Sequence, residues 1–266
     1  MNKNEYIPFL SEIKEVIKHT DIEYTFRMEY NGEQKVKPGQ FFEVSIPKFG
    51  EAPISVSGIG EGFIDLTIRR VGKVTNEVFE RYVGDTLFLR GPYGNGFDVE
   101  DYKGKEVVVV AGGTGVSPVR GIIEHFSHNP QDAKGMTLIA GFKSKNDILF
   151  KEDLKQWDET MNLILTLDSN GGDTSYKEGL VTAYIPTLEL QDVSTAVAIV
   201  VGPPAMMRFS VMALLERGFK EENIWISHER KMCCGLGKCG HCRINDSYVC
   251  IDGPVYNYTV GSQLFD

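Results

Sequence analysis

The stretch "KEVVVVAGGTGVSPVRGIIEHF", Lys105–Phe126, constrains this chain more than any other. Its run of valines suits a strand buried on both faces. A glycine turn follows, then a helical pattern. Ser117 is expected to cap that helix, with Pro118 at its first position, where a missing N–H costs nothing. The alternation then repeats. "MTLIAGFKS" reads as a strand and "KEDLKQW" as a helix. "MNLILTLDS" and "AVAIVVGPP" read as strands, "PAMMRFSVMALLERG" as a helix and "NIWISHER" as a last strand. Buried strands alternating with helices predict an α/β domain over 101–228, a parallel sheet covered on both faces.

Residues 1–100 have a different texture. "EYTFRMEY", "QFFEVSIP", "PISVSG", "FIDLTIRRV" and "DTLFLRGP" are short, rich in β-branched and aromatic residues, and separated by turns such as "NGE" and "KPGQ". One helical segment, "TNEVFERYV", starts at Thr75 or Asn76 as the expected N-cap. Many short strands predict a small antiparallel β-barrel. Residues 229–266, rich in glycine and cysteine, are expected to form a small C-terminal lobe.

Composition narrows the function. A net charge of −9 lacks the basic stripe of a nucleic-acid binder and disfavours an anionic membrane surface. The opening residues lack a signal-peptide core, and "STAVAIVVGPPAMM", broken by prolines, is too short to span a bilayer. The expected location is cytoplasmic, where clustered cysteines are metal ligands or redox groups before they are disulfides.

Two loops suit a phosphorylated ligand. Gly112, Gly113, Thr114 and Gly115, with Pro118, end one strand and open a helix, where backbone N–H groups favour a pyrophosphate. The motif is neither G-x-G-x-x-G nor a Walker A loop, and a plain tight turn is the alternative. Gly202, Pro203, Pro204 and Met206 also follow a buried strand; there the alternative is a rigid turn with core methionines.

All five cysteines lie within Cys233–Cys250. Cys234, Cys239, Cys242 and Cys250 have the spacing C-x4-C-x2-C-x7-C, the plant-type [2Fe–2S] pattern with a distant fourth ligand. The small filler "GLGK" lets the backbone curl and aim N–H groups at sulfur. Zinc fits the spacing less well, and a disulfide staple fits neither the compartment nor the odd count. Cys233 is the surplus thiol, and a Rieske site would need a second histidine beside His241.

Together, "GGTGVSP", "VGPPAM" and the cysteine run resemble ferredoxin–NADP reductase-like flavoproteins, with the turn "GPYGNGF" as a further match. The resemblance implies an FAD-binding barrel (1–100), an NAD-binding α/β domain (101–228) and a [2Fe–2S] lobe (229–266). For FAD it points to Pro53, Ile54 and Ser55 of "APISVS", and to Ile68, Arg69 and Thr75. Ala52 stands where the family's phosphate-binding Arg usually sits, which gives Arg69 and the turn at Thr75 that task. Val201 replaces a family cysteine. Lys143 and Lys145 are candidates for a 2′-phosphate contact, but NADH is the donor that the resemblance implies.

The [2Fe–2S] lobe places the resemblance in the branch with dihydroorotate dehydrogenase electron-transfer subunits, sulfhydrogenase gamma subunits and the B-type subunits of anaerobic sulfite reductase. "HERKMCCGLGKCGHC" and "VCIDGPVYNY" resemble the last most. The implied function is an electron-transfer subunit that oxidises NADH through FAD and the cluster. A flavin accepts hydride and releases single electrons, so no catalytic acid–base residue is expected. The implied partners are an iron–sulfur electron-accepting subunit and a terminal reductase subunit, for anaerobic reduction of sulfite to sulfide. Service to dihydroorotate dehydrogenase, a hydrogenase or a transhydrogenase complex is the alternative within the class. A zinc-ribbon interaction protein is the alternative outside it.

Overall fold

The computed structural model describes residues 5–82 and 84–264; Val83, where the helical pattern ends, and both chain ends lie outside them. Six antiparallel strands close a barrel: β1 (Phe9–Lys18), β2 (Glu23–Glu29), β3 (Phe41–Ile46), β4 (Gly50–Gly60), β5 (Phe63–Arg69) and β6 (Thr86–Tyr93). Their order is β1-β2-β5-β4-β3-β6, and β1 pairs with β6 to complete the ring. Closure leaves no unpaired sheet edge. Alternate residues enter the core, among them Phe26, Met28, Phe42, Val44, Ile64, Leu66, Leu87 and Leu89. Each such large apolar side chain contributes roughly 1.5–3 kcal/mol on burial.

Helix α1 (Lys73–Arg81) connects β5 and β6 and begins earlier than the sequence suggests. Thr75 is not its N-cap. From the third helical position its Oγ1 accepts the N–H groups of Val71 and Gly72, at 3.1 and 3.0 Å, so the helix reaches back to Gly72.

A register shift in β3–β6 matters for the site. Phe41 faces Tyr93, yet Glu43 faces Arg90. In regular strands residues three apart point to opposite faces. The extra residue of this bulge lets Arg90 and Tyr93 meet on one face, outside the core that holds Leu87 and Leu89.

The second sheet is mixed, with the strand order β10-β9-β8-β7-β11-β12-β15. Its strands are β7 (Glu106–Gly112), β8 (Gly135–Phe142), β9 (Asn162–Leu167), β10 (Lys177–Glu178), β11 (Val197–Val201), β12 (Ile224–Ser227) and β15 (Val255–Asn257). All neighbours are parallel except β15, which runs antiparallel to β12. Helices α2 (Val116–His128), α3 (Lys151–Thr160) and α4 (Pro204–Arg217) connect strands, and α5 (Tyr258–Gly261) follows β15. From β7 the chain steps outward through β8, β9 and β10, then returns to the other side of β7 as β11. The strand order therefore reverses between β7 and β11, the switch point at which open α/β sheets bind ligands.

The chain divides into two compact units. One comprises the residues up to Phe97 together with His228–Pro254, and the other comprises Asp98–Ser227 and the stretch from Val255 on. The cysteine segment, with its short hairpin of β13 (Arg243–Ile244) and β14 (Ser247–Tyr248), thus groups with the barrel. The residues after it supply β15 to the sheet. Among the described residues no helix is long and apolar enough to cross a membrane.

Candidate functional site

The two predicted glycine loops meet at the switch point. Strands β7 and β11 are paired in register, Ala111 opposite Val201, so their C-terminal turns lie side by side. A Cβ on Gly115 would overlap the carbonyl oxygen of Val201, and one on Gly112 would overlap Sδ of Met206. Close backbone approach explains both glycines. Gly112, Gly113, Thr114, Gly115 and Pro118 thereby come together with Gly202, Pro203, Pro204 and Met206. Gly113 and Thr114 are half-buried, and Pro203 and Pro204 are exposed.

Ser117 does not cap α2. A single 3₁₀ turn, Gly113–Gly115, runs directly into the helix at Val116, so Ser117 and Pro118 sit inside its first turn. The Ser117 hydroxyl is buried, 4% exposed, and has no hydrogen-bond partner. A buried hydroxyl without a partner costs free energy. It lies in the first turn of α2, two residues after Gly115. Val201 is buried and offers no thiol. Lys145 is engaged: its Nζ pairs with the Asp173 carboxylate and lies 5.3 Å from the centre of the Tyr176 ring.

On the barrel, Pro53, Ile54 and Ser55 lie on β4 opposite Glu43, Phe42 and Phe41. Ile54 leans on the barrel core, and Pro53 and Ser55 are half-buried. Ile68 is wholly inside the core, so its side chain is not available to a ligand. Arg69 Nε pairs with Glu23 Oε1 at 3.2 Å and Arg70 Nη2 with Glu80 Oε1 at 2.8 Å. Lys73 opens α1, and the two ion-paired arginines precede it in the chain; a helix N-terminus with cations nearby in sequence is the kind of donor set that a diphosphate takes.

The cysteine loop is already wound for sulfur ligation. Leu236 and Lys238 donate their N–H groups to Cys234 Sγ at 3.4 Å, and Gly237 donates to Cys250 Sγ at 3.2 Å. Gly235 allows the turn: its φ is +71°, and a Cβ there would press on the Tyr93 ring. The four thiols associate in pairs. The N–H of His241, and then Cys234, hold the Cys239 thiol below the ordinary range. Burial, and then the Cys242 thiol, push Cys250 up to about 12. Among the described residues no three His, Cys, Asp or Glu side chains gather around one metal-sized point. Cys233 is exposed.

Sequence reasoning missed the charges beneath this loop. Arg90, its side chain 3% exposed, donates from Nη1 to the carbonyl of Cys234 at 2.9 Å and from Nη2 to that of Cys233 at 3.0 Å. It also donates from Nε and Nη2 to the two oxygens of Glu51 at 2.9 and 2.6 Å, and from Nη1 to Tyr93 Oη at 2.9 Å. Burial opposes the Arg90 charge, but the Glu51 hydrogen bond and the nearby Tyr93, Glu51 and Glu43 outweigh it and raise its pKa. Burial likewise opposes charge on Glu51, yet Arg90 and Ser45 hold it below the usual range. Glu43, fully buried with neither carboxylate oxygen hydrogen-bonded, is pushed up to about 7 by burial and then by Glu51. Single charges inside the apolar strands "FFEVSI" and "TLFLRG" were the available signal, since a buried charge needs a partner.

Two family models match the chain: the oxidoreductase NAD-binding domain over residues 109–211, and the iron–sulfur cluster binding domain of dihydroorotate dehydrogenase B over 229–260. The chain is similar to sulfhydrogenase 1 subunit gamma of Pyrococcus furiosus, 34% identical over 97% of this chain and 93% of the relative. It is also similar to the electron transfer subunit of dihydroorotate dehydrogenase B (NAD(+)) of Clostridium perfringens, 31% identical over 94% of this chain and 96% of the relative. Among solved structures, that of an NADH-dependent reduced ferredoxin-NADP oxidoreductase shares the fold with a TM-score of 0.79 at 24% identity, over 97% of this chain and 90% of the other. A ferredoxin NADP+ reductase from Neisseria gonorrhoeae shares it with a TM-score of 0.71 at 18% identity, over 82% of this chain and 97% of the other.

Proposed function

The chain belongs to the ferredoxin–NADP reductase-like oxidoreductases that carry a dihydroorotate dehydrogenase B-type iron–sulfur domain, and from that premise we propose that it is the subunit through which NADH supplies a multi-subunit reductase, using FAD and a [2Fe–2S] cluster. The observation that carries the dinucleotide part is the meeting of two glycine loops at the β7–β11 switch point, beside the partnerless Ser117 hydroxyl. Backbone N–H groups at the start of α2 would hold the pyrophosphate, and Pro203 and Met206 would bound the site on its apolar side. Lys145 is occupied by Asp173, which favours NADH over a 2′-phosphorylated donor.

A bound flavin supplies the conversion of a two-electron hydride donor into single electrons. Pro53, Ile54 and Ser55 would line the ring, and Arg69, on leaving Glu23, would with the α1 turn at Thr75 hold the phosphates in place of the arginine that Ala52 lacks. Cys234, Cys239, Cys242 and Cys250 would ligate the cluster. The N–H groups of Leu236, Gly237 and Lys238 offset charge on its sulfurs. No side chain is needed as a catalytic acid or base. The proposed location is cytoplasmic.

The finer reading is anaerobic reduction of sulfite to sulfide, with an iron–sulfur electron-accepting subunit and a terminal reductase subunit as partners. It rests on the stretches His228–Cys242 and Val249–Tyr258, which resemble the B-type subunits of anaerobic sulfite reductase. The second reading, a hydrogenase or dihydroorotate dehydrogenase partner, is favoured by the near full-length similarity to those subunits. Anaerobic purification from its own cells tests both levels. We expect flavin and iron–sulfur absorbance, about two irons per chain and bleaching by NADH. Cys233→Ser should keep the iron and Cys239→Ser should lose it. A colourless zinc protein sinks the reading, and the identity of the co-purifying reductase decides the acceptor.

A further inference from the structure

The outer face of β3, β4 and β6 is an unusual surface for a barrel. Glu43, Glu51 and Arg90 lie there with Ser45 and Tyr93, and the cysteine segment meets it. Arg90 makes five hydrogen bonds to Glu51, Tyr93 and the carbonyls of Cys233 and Cys234. Glu51 stands on the same strand as Pro53, Ile54 and Ser55, the candidate flavin residues. One guanidinium therefore ties the flavin strand, β6 and the backbone of a cluster ligand into a single set. The register shift between Phe41 and Glu43 is what turns Arg90 and Tyr93 to the same side.

Two consequences follow from the chemistry. An arginine with five fixed donors orients a loop better than a single point charge does, because its planar fork sets direction as well as distance. A nearly inaccessible positive charge beside a ligand's backbone also favours the more negative, reduced form of an iron–sulfur centre, and charge and hydrogen bonding are what set such potentials. Glu51 opposes that charge, so its removal should act with the opposite sign. Glu43 lies on the same face without a hydrogen-bond partner, and the Arg90 charge acts on it as well.

Resting on the cluster reading above, we propose that Arg90 is a positioning residue that fixes the cysteine loop to the flavin strand and raises the reduction potential of the [2Fe–2S] centre, with Glu51 as its counterweight.

The test is a redox titration of the anaerobically purified full chain, followed by electron paramagnetic resonance and by iron content. Arg90→Gln should lower the reduced-to-oxidised ratio at a given potential about tenfold, which for one electron is about 59 mV. Glu51→Gln should raise that ratio. Arg90→Lys, which keeps the charge, should stay nearer the wild type than Arg90→Gln. A merely structural arginine would not give shifts of opposite sign. Unchanged potentials, or shifts in the same direction, overturn the assignment. If Arg90→Gln loses its iron, Glu51→Gln decides alone: a raised potential supports the proposal and no rise overturns it. A wild-type chain without an iron–sulfur signal instead overturns the cluster reading itself.

Discussion

The glycine loops of the sheet and the cysteine segment on the barrel both keep short turns in fixed positions, and they rely on different forces. At the sheet, Gly112 and Gly115 let backbone and the Met206 side chain approach until no Cβ fits. Packing of this kind is short-ranged and indifferent to charge. At the barrel, a buried guanidinium, Glu51 and two carbonyls hold the loop, with Glu43 left unpaired alongside. Such a network is sensitive to protonation and to the loss of any member. The packed region should therefore answer to a single methyl group, and the charged one to pH.

The largest difference is expected at Glu43. Its pKa is raised from 4.5 to about 7, by burial first and then by Glu51. The folded chain retains a proton there that the unfolded chain gives up. The associated stability is complete below about pH 4.5 and is lost as pH rises through 7. At about 1.4 kcal/mol per pH unit, the interval amounts to ~3 kcal/mol. Glu43→Gln, neutral at every pH, should lack this loss. Urea unfolding of the loaded protein between pH 5 and 8 measures it: wild type should weaken relative to the variant as pH rises. Parallel pH profiles would remove Glu43 from the charge-held region.

Gly115→Ala probes the packed side. Its methyl group would overlap the Val201 carbonyl oxygen, which is backbone and cannot swing away. Overpacking of this kind costs about 1–3 kcal/mol. Because the strain falls on the candidate dinucleotide loop, NADH should bind roughly tenfold more weakly, equivalent to about 1.4 kcal/mol. Both effects should be the same at pH 6 and pH 8. Calorimetric titration with NADH at the two pH values checks this, and a pH-dependent loss would erase the contrast between the regions.

The same contrast explains what the sequence discloses. "GGTGVSP", "VGPPAM" and the cysteine run are legible because their chemistry depends on neighbouring residues. The barrel strands are legible by alternation, except β1, whose "SEIKEVIK" is too polar to stand out. Strands β10 and β15, of two and three residues, are too short to carry a pattern. Ser117 reads as a cap in the sequence because a 3₁₀ turn before a helix has no distinct signature. Arg90 is legible only as a lone charge in an apolar strand; its partners are not, since Glu51 lies 39 residues away and Cys234 lies 144 away. Only the fold makes them neighbours, and the bulge that aims Arg90 is itself a tertiary feature.

The smallest effect is expected where a charge pair occurs on the packed side. Lys145 pairs with Asp173, which is held down to about 2, first by its Lys145 hydrogen bond and then by Ser175. Both groups are partly exposed, and solvent-screened pairs of this kind add little to stability. Releasing Lys145 should leave stability nearly unchanged but free a cation near the end of β8. Asp173→Ala should therefore improve use of NADPH relative to NADH by no more than about fivefold, the scale expected of one exposed charge contact. Paired kcat/KM measurements with the two donors read it out. A shift would show that Asp173 guards donor choice by occupying Lys145. No shift, with Lys145→Ala equally silent, would place this ion pair outside the dinucleotide site and leave selection to the glycine loops.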